Sequence, residues 1–223
     1  MMSVCALAGG VAHAQQNIGS TVLANNRVSR ELSGATGPLN PGDPVYRDEL
    51  VRTGEDSTAK LIFLDSTNLA IGPTSRVTLD QFVYAGEVNG QKMTVNLAKG
   101  IFRFTTGALD KRAYTISTST ASTGVRGTVL DIAVTAGRTG VTLREGSAIV
   151  CARGGGCVEL RQDGQTAQVK KVGGANQASF SSTPVDFASL CAGGSLCSGS
   201  TYASASPGGG DTGGFPSGAL CGH

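Results

Sequence analysis

Histidine is nearly absent from this chain, since His13 and His223 lie close to its two ends. A Ser-His-Asp or Cys-His catalytic arrangement, or a zinc site built on histidines, therefore has no central histidine to use. Two carboxylates could still meet as an acid–base pair, but aspartates at turns and strand ends ordinarily serve the backbone. The aspartates in such positions are Asp43, Asp48, Asp65, Asp80, Asp131 and Asp163. The sequence predicts no enzyme and no catalytic, cofactor-binding or metal-ligating residue.

Tryptophan is absent, aromatic residues make up 5% of the chain and charged residues 15%. Any core must therefore consist of valine, leucine, isoleucine, alanine and threonine. The net charge is only +2 and the basic residues are scattered, so no basic stripe exists for a nucleic-acid backbone to follow. Outside the N-terminus, no segment approaches the roughly 20 apolar residues that a membrane span needs.

Residues 1–14 have the character of a signal peptide. The segment Val4–Ala12 is small and apolar, and Ala12-His13-Ala14 before two glutamines is typical of a cleavage site. No basic residue precedes the apolar segment, which is short, so we expect this signal to be truncated at its N-terminus. The alternative is a first strand or helix of the mature fold. A cleaved signal predicts an exported protein of the periplasm or the cell surface.

The cysteine spacing fits an oxidising compartment. Cys151 and Cys157 enclose five residues rich in glycine, and so do Cys191 and Cys197, so each pair can close as a disulfide. The alternative is a zinc site of four thiolates, for which shorter spacings are usual. Cys221 is left over and predicts an intermolecular disulfide or a free thiol.

Turn signals recur about every ten residues with short β-branched runs between them, and no amphipathic helical pattern of useful length occurs. This predicts an all-β fold of many short strands in stacked layers, sandwich- or solenoid-like. The best hairpin joins Ala59–Leu64 to Asn68–Ile71 through Asp65-Ser66-Thr67. Residues Met93–Phe104 predict two strands broken at Lys99-Gly100.

The stretch Tyr114–Val134 is the centre of the predicted domain. Two strand-like runs, Tyr114–Thr120 and Thr128–Val134, flank a joint of small residues, Ala121–Gly127. Gly124 and Gly127 predict positive φ angles or a close approach of two backbones. Between them Arg126 is an isolated charge.

The chain divides at residue 173 by composition. Residues 15–173 predict the all-β domain, whereas serine, glycine and alanine dominate residues 174–223. Such a segment buries too little apolar surface to offset its ordering entropy. We therefore expect a mostly disordered tail, pinned locally by Cys191 and Cys197.

Several short motifs follow one another in a characteristic order: Pro41-Gly42-Asp43-Pro44-Val45, Val51-Arg52-Thr53-Gly54, Phe63-Leu64-Asp65-Ser66-Thr67, Lys99-Gly100-Ile101-Phe102 and Val125-Arg126-Gly127-Thr128. In this order they resemble the FecR domain, an all-β domain of bacterial envelope proteins, over about residues 42–152. Ser66 departs from the pattern, because many family members carry glycine there.

The resemblance implies a family-motif set of mainly structural residues: Gly42, Asp43, Thr53, Gly54, Asp65, Gly100, Arg126, Gly127 and Thr128. Glycines and short polar side chains of this kind suit turns and local backbone hydrogen bonds. We expect Arg126 to be a buried strut held by carbonyls or by a carboxylate such as Asp131 or Glu145. The alternative role of Arg126 is contact with a ligand.

FecR-type regulators combine a cytoplasmic segment that holds a sigma factor, one membrane helix and a periplasmic domain that receives a transporter's signal. This sequence has neither of the first two parts, so the resemblance implies a stand-alone exported FecR-domain protein. We expect a non-enzymatic interaction or signalling module that binds other envelope proteins and needs no cofactor. The alternative is a structural or adhesive surface component, suggested by Cys221 and the glycine-rich tail.

Overall fold

A computed structural model of the chain describes residues 15–83, 92–108 and 114–190. The predicted signal peptide and the residues Cys191, Cys197 and Cys221 lie outside these ranges, and so does most of the predicted tail. Within them no helix is long and apolar enough to cross a membrane. The described chain consists of fifteen strands and one short helix, which confirms the prediction of an all-β fold with many short strands.

The elements follow in order as β1 (Asn17–Asn25), β2 (Val28–Leu32), β3 (Ala35–Pro38), β4 (Pro44–Tyr46), β5 (Glu49–Thr53), β6 (Thr58–Phe63), β7 (Asn68–Ile71), β8 (Arg76–Val83), β9 (Lys92–Thr105), β10 (Tyr114–Ser117), β11 (Ala121–Thr135), β12 (Arg138–Ala152), β13 (Cys157–Leu160), β14 (Thr166–Val172), β15 (Ala175–Ser181) and α1 (Phe187–Leu190).

All the strands join one branched sheet around one large apolar core. The main path runs β15-β14-β12-β11-β10-β9-β7-β6-β1-β4, and the remaining strands branch from β9 and β12. Every pair is antiparallel except β9 with β10. The predicted hairpin of β6 and β7 is confirmed by its register, in which Leu61 pairs with Leu69.

One long strand replaces the two strands predicted between Met93 and Phe104. β9 continues through Gly100, where φ is +116°. Before Gly100 it pairs with β8 and β10, and from Gly100 onward with β11 and β7. A glycine can take this angle without breaking the ladder, so the strand exchanges partners at Gly100 instead of ending there.

The predicted joint at residues 121–127 is itself mostly strand. β11 runs through it without interruption, with a register shift against β12 just after Arg126. Gly127 has the expected positive φ of +58°. The expectation for Gly124 is wrong: its φ is not positive, and a Cβ built on it would have no atom within 4 Å.

The fold also continues past residue 173, where the composition predicts its end. β15 pairs with β14 along its whole length, and α1 follows it. Phe187 is completely buried and packs with Ala70, Leu23 and Ile101. One aromatic side chain therefore anchors a segment whose average composition indicates disorder.

The predicted disulfide between Cys151 and Cys157 is present, with an S–S distance of 2.06 Å. These cysteines are cross-strand partners that join the ends of β12 and β13. The disulfide therefore closes the hairpin beside the central strands.

Candidate functional site

The motif residues Thr53 and Gly54, at the end of β5, connect two loops through hydrogen bonds. Thr53 donates from Oγ1 to the carbonyl oxygen of Gly72 at 2.7 Å and accepts the amide hydrogen of Ser75 at 2.9 Å. Gly54 donates its amide hydrogen to the Arg27 carbonyl and accepts from the Thr74 amide. These contacts hold loops of the scaffold in place, so the Thr53 hydroxyl already serves the backbone.

Asp65 organises the turn between β6 and β7. Its carboxylate accepts hydrogen bonds from the Thr67 amide at 3.0 Å, from Thr67 Oγ1 at 2.6 Å and from Tyr114 Oη at 2.7 Å. Ser66 takes a φ of +69°, so here serine adopts the left-handed conformation that glycine usually supplies. Asp65 is buried, and its hydrogen bonds join this turn to β10.

The remaining structural motif residues are also held by the backbone. Gly42 donates its amide hydrogen to the Thr21 carbonyl at 2.7 Å, and the Asp43 carbonyl oxygen accepts from the Thr21 amide at 2.8 Å. Thr128 donates from Oγ1 to the Ser147 carbonyl at 2.8 Å, next to the turn at Gly127.

Arg126 is the exception, and its expected role as a buried strut is wrong. Its side chain is exposed, and its guanidinium has no hydrogen bond or ion pair within the described residues. Asp131, the proposed acceptor, is instead bound by Arg103 and Arg144 at 2.6 to 2.9 Å. Glu145 is exposed to solvent. Among the described residues, the structure therefore leaves an exposed guanidinium without a hydrogen bond or close ion pair on this part of the surface.

Register explains why Arg126 points outward. Cross-strand partners share one face of a sheet, and the partners in β9 to β13 align in rows across five strands. One row faces the core and is buried: Met93, Tyr114, Val125, Ala148 and Leu160. The row beside it faces outward: Thr94, Thr115, Gly124, Ile149 and Glu159. Arg126 lies two residues from Gly124 and so shares the outward face.

A groove of about 260 Å³ lies on this outward face. Gly124 forms its floor, because no side chain rises from β11 at that point. Thr115 and Ile149 stand on either side, and the Ile149 side chain is 47% exposed. Arg126, Ser147 and Glu159 complete the lining. We call this feature the Gly124 groove.

The two charged residues that line the Gly124 groove, Arg126 and Glu159, differ in their hydrogen bonding. Arg161 donates to the Glu159 carboxylate at 2.7 Å, and this hydrogen bond lowers the pKa of Glu159, with a smaller contribution from Arg126. Glu159 is thus held by a hydrogen bond to Arg161, whereas the Arg126 guanidinium acts on Glu159 only through its charge and makes no hydrogen bond within the described residues. The groove can attract an anionic group at its Arg126 end. The described residues contain no cluster of three or more histidine, cysteine or acidic side chains that could hold a metal.

Sequence reasoning missed Thr115, Ile149 and Glu159 as parts of a surface. The alternation of Ile149 with its buried neighbours is a usable signal, since it lies between Ala148 and Val150 in a strand-like run. The convergence of the three residues is not visible in the sequence, because it depends on the register of four strands.

Glu49 is a buried carboxylate outside the groove. It accepts from Arg30 at 2.8 Å and from the Tyr46 amide at 2.7 Å, while its Oε1 has no partner within the described residues. Burial raises the pKa of Glu49 above its ordinary value, although these two donors act in the opposite direction. Ionisation of Glu49 is therefore less favourable in the folded chain than in the unfolded chain.

We predict that Glu49→Gln changes how stability depends on pH. Because the pKa of Glu49 is raised in the folded state, its contribution to the free energy of unfolding is fully present below its ordinary titration range, around pH 4.3. That contribution falls as the pH rises through the folded-state value. The difference in unfolding free energy between wild type and Glu49→Gln should therefore shift in favour of the variant from about pH 4 to about pH 7. Urea titrations would measure it, and a constant difference would contradict the prediction.

The Gly124 groove lies largely within the part of the chain that matches a family model. Residues 49–149 match the model of the FecR protein family. This range holds Thr115, Gly124, Arg126 and Ile149, whereas Glu159 lies beyond it. No curated protein matches the chain in sequence.

Two crystal structures from Parabacteroides distasonis ATCC 8503, at 1.65 and 2.50 Å resolution, are similar to parts of the chain. Both are described as "a putative anti-sigma factor". Each is 13% identical with a TM-score of 0.46, and the match covers 59% of this chain and 59% of the other. The chain thus spans about three fifths of the length of these structures.

Proposed function

Because residues 49–149 carry a FecR domain, we propose that this protein is a non-enzymatic interaction module that binds other proteins of the bacterial cell envelope. It works after export, in the periplasm or at the cell surface. Its part in signalling is to present one face of a rigid β scaffold to a partner.

The observation that carries this proposal is the outward face of β10 to β13. The motif residues other than Arg126 are engaged in the scaffold, and the exposed guanidinium of Arg126 stands beside an open groove. An exposed apolar side chain rimmed by polar and charged groups, such as Ile149 beside Arg126 and Glu159, is typical of an interaction site. An exposed arginine of this kind is a common anchor in protein interfaces.

The carboxylates support the same interpretation. Asp131 is ion-paired with two arginines, and Asp65 accepts three hydrogen bonds. These hydrogen bonds hold both carboxylates in place, and each of these two aspartates joins strands. A binding role is therefore consistent with these two carboxylates, which serve the scaffold and need no catalytic role.

The experiment is affinity capture from envelope extract with the full chain as bait. We expect one partner to be recovered with the wild type and with the control variant Lys171→Glu. This control makes the same change of charge as Arg126→Glu, but at an exposed residue of β14. Recovery should fall at least about fivefold with Arg126→Glu, because the reversed charge repels an acidic partner. Equal recovery of the partner with both variants would refute the role of this face. Recovery of the bait without any partner would refute the proposed interaction function.

A structural or adhesive role is the second candidate, favoured by one observation. β15 pairs only with β14 within the described residues, and its seven residues carry no charge. An uncharged edge strand lacks the usual protection against pairing with another chain. Concentration-dependent self-association in sedimentation experiments would favour this role, and a stable monomer would reject it.

A further inference from the structure

We infer that the Gly124 groove receives an extended segment of the partner protein that carries an aspartate or glutamate two residues from a large apolar side chain. This inference rests on the proposed interaction function and adds the chemistry of the partner. The carboxylate pairs with Arg126, and the apolar side chain lies over Gly124 against Ile149.

The fold itself has no need for glycine at position 124. The φ angle there is not positive, and a Cβ would have no atom within 4 Å. Glycine inside a strand weakens it, because it adds chain entropy and packs no side chain. Several other glycines of the chain have a structural reason; Gly146, for example, lies too close to Gly127 to accept a Cβ. The open space above Gly124 therefore fits a use outside the fold.

The space above Gly124 is bounded by a side chain on each side. Thr115 and Ile149 are the cross-strand neighbours of Gly124 on either side. Strands lie about 4.8 Å apart, so these two side chains stand roughly 10 Å from each other. An aromatic or branched side chain fits between them. Ile149, 47% exposed, offers it an apolar wall.

Gly124 and Arg126 are two residues apart on one face of β11, which corresponds to roughly 7 Å. An extended partner presents its own alternate side chains at the same interval. An acidic residue above Arg126 therefore places its second neighbour along the chain above Gly124, so the partner needs no turn to reach both positions.

The charge at the Arg126 end of the groove can receive a carboxylate. The guanidinium of Arg126 makes no hydrogen bond or close ion pair within the described residues, and Glu159, the carboxylate on which its charge acts, is already bound by Arg161. A carboxylate from outside would thus meet an exposed positive charge at one end of the groove. Arginine also binds carboxylates in a two-pronged geometry. An acidic side chain is therefore the group that this end selects.

The test is a selection of random dodecapeptides displayed on phage, with the immobilised full chain as the target. The Gly124→Val variant serves for counter-selection, since its Cβ would meet no atom within 4 Å, its side chain would occupy space above Gly124, and valine suits a strand. We expect the selected peptides to be enriched in an acidic residue two positions from a phenylalanine, tyrosine, tryptophan or leucine. One selected peptide is then synthesised with a fluorescent label, and its affinity is measured by anisotropy.

We expect at least about tenfold weaker binding of this peptide to Gly124→Val and to Arg126→Gln, and a change below about twofold for Lys171→Gln. Thermal unfolding of Gly124→Val should occur no lower than that of the wild type, which separates lost binding from lost structure. Selection without acidic enrichment, equal binding by Gly124→Val, or no selection above background would each overturn the inference.

The two proposals can fail separately. If envelope capture succeeds and Gly124→Val captures the partner as well as the wild type does, the interaction function stands and the groove inference fails. If selected peptides bind the groove but envelope extract yields no partner, the groove chemistry stands and the envelope function fails.

Discussion

Replacing Asp131 by alanine is expected to lower the free energy of unfolding by about 3–5 kcal/mol, the usual cost of breaking a buried ion pair from one side. Asp131 is completely buried and accepts hydrogen bonds from Arg103 at 2.6 and 2.9 Å and from Arg144 at 2.7 Å. It also accepts the amide hydrogen of Phe187 at 3.2 Å. Its loss would leave two partly buried guanidinium groups without this carboxylate and would remove one of the hydrogen bonds that hold α1 to the sheet.

Guanidinium chloride titration measures this loss, with Asp163→Ala as the matched control. Asp163 is exposed in the turn before β14, so its replacement should change stability by less than about 0.5 kcal/mol. A loss below about 1 kcal/mol for Asp131→Ala would show that the arginines relax into solvent at little cost. In that case the C-terminal segment is not held by this ion pair.

Gly100→Ala should destabilise the fold by about 3 kcal/mol or more, because strain and overlap act together. The φ of +116° at Gly100 is unfavourable for alanine. A Cβ there would lie 2.0 Å from Ser75 Oγ and 2.6 Å from Ser75 Cα. The backbone of Ser75 cannot retreat easily, since its amide also donates to Thr53. The strand would have to move away from its neighbour at the point where β9 changes partners.

Gly124→Ala is the matched control for this substitution. Both glycines lie within strands, but Gly124 has no positive φ, and a methyl group at this position would meet no atom within 4 Å. We expect Gly124→Ala to leave the unfolding free energy unchanged or to raise it by up to about 1 kcal/mol. Similar losses from the two variants would contradict the role assigned to the angle at Gly100.

Local chemistry makes much of the fold predictable from sequence. Strands separated by turn residues, the hairpin around Asp65 and the disulfide of Cys151 with Cys157 all depend on short-range patterns. The features that the sequence did not predict depend on backbone angles and on contacts between distant residues. The prediction that a strand ends at Gly100 is wrong because a glycine's φ angle is not written in the sequence, and β9 continues through that residue. The anchoring role of Phe187 is equally hidden, because its contacts lie far away in the chain.

The candidate site is less predictable for the same reason. Arg126 stands out in the sequence as a lone charge, and its glycine neighbours suggest burial, but the register of β11 turns it outward. Ile149 and Glu159 lie near it only because β11, β12 and β13 align, which places Gly124, Ile149 and Glu159 in one row. A site formed by register between distant strands leaves no contiguous motif to find.

Site-specific photo-cross-linking tests the central claim most directly: a partner lies against the outward face at the Gly124 groove. Benzoylphenylalanine is placed at Ile149 in one variant and at Val172 in another, since these side chains are 47% and 43% exposed. Both variants are irradiated with the partner captured from envelope extract. We predict a cross-link from position 149 to a partner segment that contains an acidic residue, and none from position 172. Cross-linking from position 172 alone would contradict the account.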